Sequence, residues 1–323
     1  MIAIPVIALA AGAASALMFA SIISGALISL LLFYLAPLPL MVAALGWGPL
    51  AATIGGITAA TGLGLIFGLP YCIAFAITVA LPAWWLGHLA LLGRPEANVA
   101  SGNGAAPAAP ALEWYPVGRI LLWIAGFAIL TTIAALLTLG SDAEAISGAL
   151  RRGLLRMLGP RDAESAGDVE RWVDALVVVA PAAAATVAMM TLTLNLWLAA
   201  KITATSARLH RPWPDLRSAA LPPMTLVALS IALAFCFAGG LPALLAQIVA
   251  TALMMAYAFT GFAVLHTLTL ALKSRAFLLS CTYAIVMMFG WPVLAMVALG
   301  VTDAVFGIRQ RYLRTRPPPL PAS

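Results

Sequence analysis

The chain has 323 residues, 17 of them Lys or Arg and 11 Asp or Glu, so only 9% are charged, while the apolar set reaches 63%. A soluble domain carries about 25% charged residues, and a globular chain of this size cannot hide so much apolar surface, because exposed area grows too fast with mass. Soluble enzymes, disordered chains, coiled coils and secreted disulfide scaffolds are therefore excluded, and an all-α polytopic transmembrane helical bundle is expected.

An α-helix rises about 1.5 Å per residue, so about 20 apolar residues cross the hydrocarbon core. No Asp, Glu, Lys or Arg precedes Arg94. No cleavable signal is expected, and residues 1–92 read as an N-terminal four-span membrane half. Breaks are expected near Ser21–Gly25, before Gly48 and at Gly68-Leu69-Pro70, and Pro37-Leu38-Pro39 should kink the second span. Residues 93–117, with their ASGNGAAPAAPA run, read as a flexible cytoplasmic linker.

Residues 118–308 read as a C-terminal membrane half. Its first span covers about 118–139. Ser141 looks like an N-cap for an amphipathic helix over 141–158 that lies at the interface and stops at Gly159-Pro160. Further spans follow at about 172–200, edged by Trp172 and Trp197, at 221–238 and at 242–271. The run 276–308 amounts to about 50 Å of helix, interrupted by Gly290-Trp291-Pro292. Two half-length segments there place twelve of the seventeen basic residues on one side and five on the other, which suits the Lys/Arg excess of cytoplasmic loops. The count is then ten, within a range of 8–10 membrane segments, with both termini cytoplasmic. Residues 309–323 form a basic, Pro-rich tail, with Arg314 to Pro319 disordered or polyproline-like.

Four stretches carry a resemblance to a known family. They are Pro37-Leu38-Pro39 followed by Gly46-Trp47-Gly48-Pro49, then Asn195-Leu196-Trp197, then Arg211-Pro212-Trp213-Pro214-Asp215-Leu216 with Leu221-Pro222, and finally Gly300-Val301-Thr302-Asp303-Ala304-Val305-Phe306. In this order they resemble the YybS-like family of uncharacterised bacterial membrane proteins, a domain of unknown function, and most of all its alphaproteobacterial branch. That family is distantly similar to the substrate-binding S components of energy-coupling-factor transporters and to rod-shape membrane proteins of the MreD kind. The resemblance implies an S-component-like helical core but no particular substrate. S components grip a partner subunit through an Ala-x-x-x-Ala face, a spacing met at Ala10/Ala14 and Ala16/Ala20.

Intramembrane polar groups are the candidate site. Asp303 is the one acid inside an apolar segment away from its ends. A carboxylate at that depth costs about 2.5–3.5 kcal/mol on insertion scales, so a proton or cation role stands beside capping or pairing with a nearby Arg. His266 has no His, Cys or Asp at i+3 or i+4, which argues against a metal site. His88 lies nearer an interface. Asn195 and Gln247 can bond neighbouring helices or contact a ligand. Arg208, Arg211, Trp213, Asp215 and Arg217 form a candidate surface for anionic lipid or a cytoplasmic partner.

Cys72, Cys236 and Cys281 match no disulfide or metal spacing. The Gly-rich run from Gly46 to Gly68 lacks the strand–helix setting of a phosphate loop, and no nucleophile–base pattern appears. No enzyme activity, metal or cofactor is expected, and the +6 net charge is read as orientation rather than nucleic-acid binding. The expected partners are the lipid bilayer and another membrane subunit or cytoplasmic protein. The reading that follows is a bacterial inner-membrane protein that acts as a transporter-like substrate-binding or permease component without its own ATPase. The alternative is a non-transporting scaffold in cell-envelope assembly. A periplasmic reporter enzyme fused after Ser323 is expected to be inactive, and activity there would refute the even span count.

Overall fold

The computed structural model describes residues 3–95, 112–158 and 166–315. The described chain is almost entirely helical. In order it forms α1 (Ala3–Ala20), α2 (Leu27–Leu35), α3 (Pro37–Trp47), α4 (Pro49–Phe67), α5 (Leu69–Phe75) and α6 (Leu81–Leu91), then strands β1 (Gly93–Pro95) and β2 (Leu112–Trp114). It continues through α7 (Val117–Leu137), α8 (Ala143–Leu158), α9 (Ala166–Thr205), α10 (Met224–Phe235), α11 (Gly240–Leu268), α12 (Arg275–Phe289), α13 (Val293–Phe306) and α14 (Ile308–Thr315).

The protein is an all-α polytopic membrane bundle. Among the described residues seven helical segments are long and apolar enough to cross a bilayer, or eight if the bent α13–α14 pair is counted as one span. The ten-segment count therefore includes helices of less than spanning length: α10 has 12 residues, α12 has 15 and α13 has 14. Large side chains stand bare on the spans, among them Leu27 at 91%, Leu65 at 83% and Met287 at 85% exposure. Water would penalise such a surface, whereas lipid tails accept it.

Two compact units emerge, and they do not follow the chain-order halves. One comprises residues 1–124 with 190–214, the other residues 125–189 with 215–323. In the first unit, α1 crosses α4 at a glycine contact, where a Cβ on Gly12 would strike the Gly55 carbonyl and one on Gly55 the Ala8 carbonyl. Small residues let backbones approach this closely. The break between α1 and α2 is a short 3-10 turn, Ser21–Ser24, and Ser21 and Ser24 bond back to Ser29. The expected Pro37 kink is mild, because Ala36 keeps helical dihedrals and Leu27–Trp47 passes as one span. Gly68 (φ +93°) ends α4 in a conformation closed to other residues, and Pro70 starts the next helix in its first turn. Between α5 and α6 the helix widens to a π turn over Ala76–Ala80.

The expected linker is ordered at both ends. β1 and β2 pair antiparallel, with Arg94 opposite Glu113 in an ion pair of 2.6 Å. The ASGNGAAPAAPA run lies outside the described residues, as do Gly159-Pro160 and the tail beyond Thr315.

In the second unit α11 is central. Its crossing with α13 is as close as the α1–α4 one, since a Cβ on Gly261 would strike the Met296 carbonyl and one on Gly300 the Tyr257 carbonyl. The amphipathic helix α8 is capped by Asp142 rather than Ser141, for the Asp142 carboxylate accepts the Ala145 N–H at 2.8 Å. α8 also docks instead of only resting at the interface. Its Ile146 is fully buried against Leu136, Ala185, Leu244 and Ile248, and Arg151 meets Asp174 at 2.9 Å. α9 runs 40 residues through Pro181. That is about 60 Å of helix, twice the hydrocarbon thickness, and its charged start, from Asp168 to Asp174, accounts for about 10 Å of the excess.

Gly261→Ala should destabilise the protein by about 1–3 kcal/mol through overpacking, whereas Gly126→Ala, with open space beside it, should be neutral. Thermal unfolding in detergent micelles checks both.

Candidate functional site

The buried charge lies in the second unit, where α13 ends. Gly307 adopts the left-handed conformation (φ +63°), its N–H closes α13 on the Asp303 carbonyl at 2.8 Å, and α14 leaves at a bend of 71°. The turn brings Arg309 back to Asp303. The Arg309 Nε donates to Oδ2 at 2.7 Å and the Arg309 backbone N–H donates to Oδ1 at 2.8 Å. Asp303 thus serves as ion-pair partner and as cap for the first turn of α14, where the helix dipole favours a carboxylate. Both side chains are nearly buried, at 8% and 12% exposure.

Arg309 is held on its other side as well. Its Nη1 donates to the carbonyls of Arg217 (2.6 Å) and Ala219 (2.9 Å). These lie in, and directly after, a short 3-10 turn, Leu216–Ser218, capped by Asp215, whose carboxylate accepts the Arg217 N–H at 3.1 Å and Nε at 2.9 Å. Partial burial pushes the Asp215 carboxyl up, but the hydrogen bonds and charge of Arg217 together outweigh this and hold it below the ordinary carboxylate range.

These groups line a cavity of about 810 Å³, within the range of ligand sites. Arg217, Arg309, Arg311 and Arg314 contribute cations, and Asp215 and Asp303 the acids. Its inner wall includes Tyr257 and Thr260 of α11, and the Tyr257 hydroxyl bonds Thr225 of α10 at 2.6 Å.

The other intramembrane candidates do not line this cavity. His266, half-buried on α11, shares a 2.8 Å hydrogen bond with the Tyr283 hydroxyl of α12. Gln247 is half-buried on the same helix. Asn195 is in the first unit, fully buried, and its Nδ2 donates to the Tyr34 and Thr191 carbonyls, both at 2.8 Å. The first of these ties α9 to α2. Two carbonyls fix the amide orientation, which leaves Oδ1 buried without a partner among the described residues.

The candidate surface divides between the units. Arg208 stacks on Trp47 (5.1 Å), Arg211 on Trp114 (5.9 Å), and Lys201 on Trp213 (4.2 Å), all in the first unit. Burial pushes the Arg211 pKa down, and its Nη1 donates to the Ala90 carbonyl at 3.2 Å. Asp215 and Arg217 belong to the cavity of the second unit. His88 sits in an aromatic cluster with Trp84 and Trp85.

From the sequence, capping or pairing with a nearby Arg stood beside a proton or cation role for Asp303, and in the structure it caps α14 and pairs with Arg309. The signal was present, a Gly two residues before an Arg, six positions after a lone acid. No family model matches the chain, and no curated protein or solved structure matches it either.

Removing one member of a buried ion pair strands the other charge. Asp303→Ala should therefore lower unfolding free energy by about 3–5 kcal/mol, and adding Arg309→Met should restore part of the loss. Denaturant titration in micelles reads the coupling, and strictly additive losses would deny the pair.

Proposed function

We propose that this integral membrane protein is a transporter-like substrate-binding or permease component, set in a bacterial inner membrane with both termini cytoplasmic, that relies on a separate polypeptide for energy. One observation carries the reading. A buried Asp303–Arg309 pair lines a cavity of about 810 Å³ at a helix break. Interrupted helices whose freed backbone groups and charges face a cavity are a construction used by transporters, and buried intramembrane charge that builds no site is expensive. The resemblance to YybS-like proteins enters the same proposal, since its fourth stretch, Gly300–Phe306, carries Asp303 and four further residues of the cavity wall.

The scaffold alternative has its own support in Lys201, Arg208 and Arg211. Each is held over a Trp face, a pre-ordered basic and aromatic surface suited to a protein partner.

Purification from native membranes, with mass spectrometry of co-purifying proteins and small molecules, separates the two. Transport predicts a bound solute that Asp303→Asn releases while membrane level holds. A scaffold predicts no solute, and partner proteins that are lost when Arg208 and Arg211 are replaced by Gln.

A further inference from the structure

We infer that the cavity beside Asp303–Arg309 takes a phosphate-bearing amphiphile, with Arg311 and Arg314 as the phosphate ligands. The inference rests on that cavity being the binding site of the proposed function, and it names the chemistry admitted there.

The charges decide the sign of the ligand. Asp303 is consumed by Arg309, and Asp215 by Arg217. Arg309 is further occupied by two carbonyls. Neither acid is left to attract a cation. Among the described residues Arg311 and Arg314 have no carboxylate partner, and both line the cavity. Three positions apart on α14, they share one helix face. With the two pairs neutralised, the cavity carries two uncompensated guanidinium groups. Paired guanidinium forks match phosphate oxygens in charge and geometry.

The apolar part of the lining decides the rest of the ligand. Leu221, Phe306 and Leu313 line the same space. An inorganic ion would leave that apolar surface unused, whereas a phosphate ester with a hydrocarbon portion uses both the basic and the apolar lining. Such a group arrives either as a phospholipid headgroup with the start of its chains or as a free phosphorylated organic solute. The Asp303 lock shapes the site without spending its own charge on the ligand, because it fixes where α14 begins and so where Arg311 and Arg314 project.

The test uses the full chain in phosphatidylcholine nanodiscs. In one arm phenyl phosphate is titrated calorimetrically, with benzyl alcohol as the uncharged comparison. In the other, phosphatidylglycerol is mixed into the disc and lipid retention is read by native mass spectrometry. Arg311→Gln with Arg314→Gln should weaken phenyl phosphate binding, or lipid retention, by about tenfold or more. Arg119→Gln, which removes an exposed charge in the other unit, should change neither. Loss in the first arm assigns a free solute, and loss only in the second assigns a headgroup. Equal behaviour of wild type and double variant in both arms, with matched thermal midpoints, overturns the inference. A neutral or cationic solute released from native preparations by Asp303→Asn, with both arms flat, would also overturn it but leave the transport reading standing. Retention of phosphatidylglycerol with no native solute would uphold the phosphate site and remove the transport reading.

Discussion

The second unit's charged end depends on one ion pair. Arg309 binds Asp303 through Nε and its backbone N–H, and binds the 216–218 turn through Nη1. A single guanidinium thereby joins the end of α13, the start of α14 and the connection before α10. In water such a pair contributes little. With both side chains nearly buried, the exchange is different, because neither charge has a cheap alternative partner. The same arrangement satisfies helix-end groups that an apolar setting would otherwise strand.

Within each unit a glycine contact organises the packing. The α1–α4 and α11–α13 crossings both bring backbone against backbone, at Gly12/Gly55 and at Gly261/Gly300. Lipid supplies no hydrophobic drive between helices, so close contact has to supply the attraction. Gly300 lies three residues before Asp303. The tight crossing thus lies about one turn before the carboxylate, and the left-handed Gly307 then turns Arg309 onto it. Packing and chemistry are set within one short stretch of sequence.

The helical, membrane-embedded class was legible from composition alone, and so were most breaks. Ser21–Gly25, Gly68-Leu69-Pro70 and Gly290-Trp291-Pro292 act through local backbone preferences, which sequence carries directly. Non-local contacts were not legible. The amide of Asn195 finds a carbonyl 161 residues away, His266 finds Tyr283 from the next helix, and Ile146 pins α8 into a core built from three other helices. Helical Arg314 and Thr315 in the supposed disordered tail have the same origin. Eight residues make a marginal helix in isolation, and the cap that starts α14 comes from Asp303, outside it. Asp142 displaced Ser141 as a cap because either side chain can do the work and only the backbone geometry chooses.

The central claim is that the Asp303–Arg309 lock opens onto a solvent-reachable, positively charged cavity. Cysteine labelling at Ala304, which lines that cavity beside the lock, tests it most directly. With Cys72, Cys236 and Cys281 replaced, Ala304→Cys would be reacted with sulfonatoethyl and with trimethylammonioethyl methanethiosulfonate. The account predicts rapid modification, faster with the anionic reagent than with the cationic one, and loss of that preference when Arg311 and Arg314 are changed to Gln. A cysteine that stays unmodified, or that reacts faster with the cationic reagent, would contradict it.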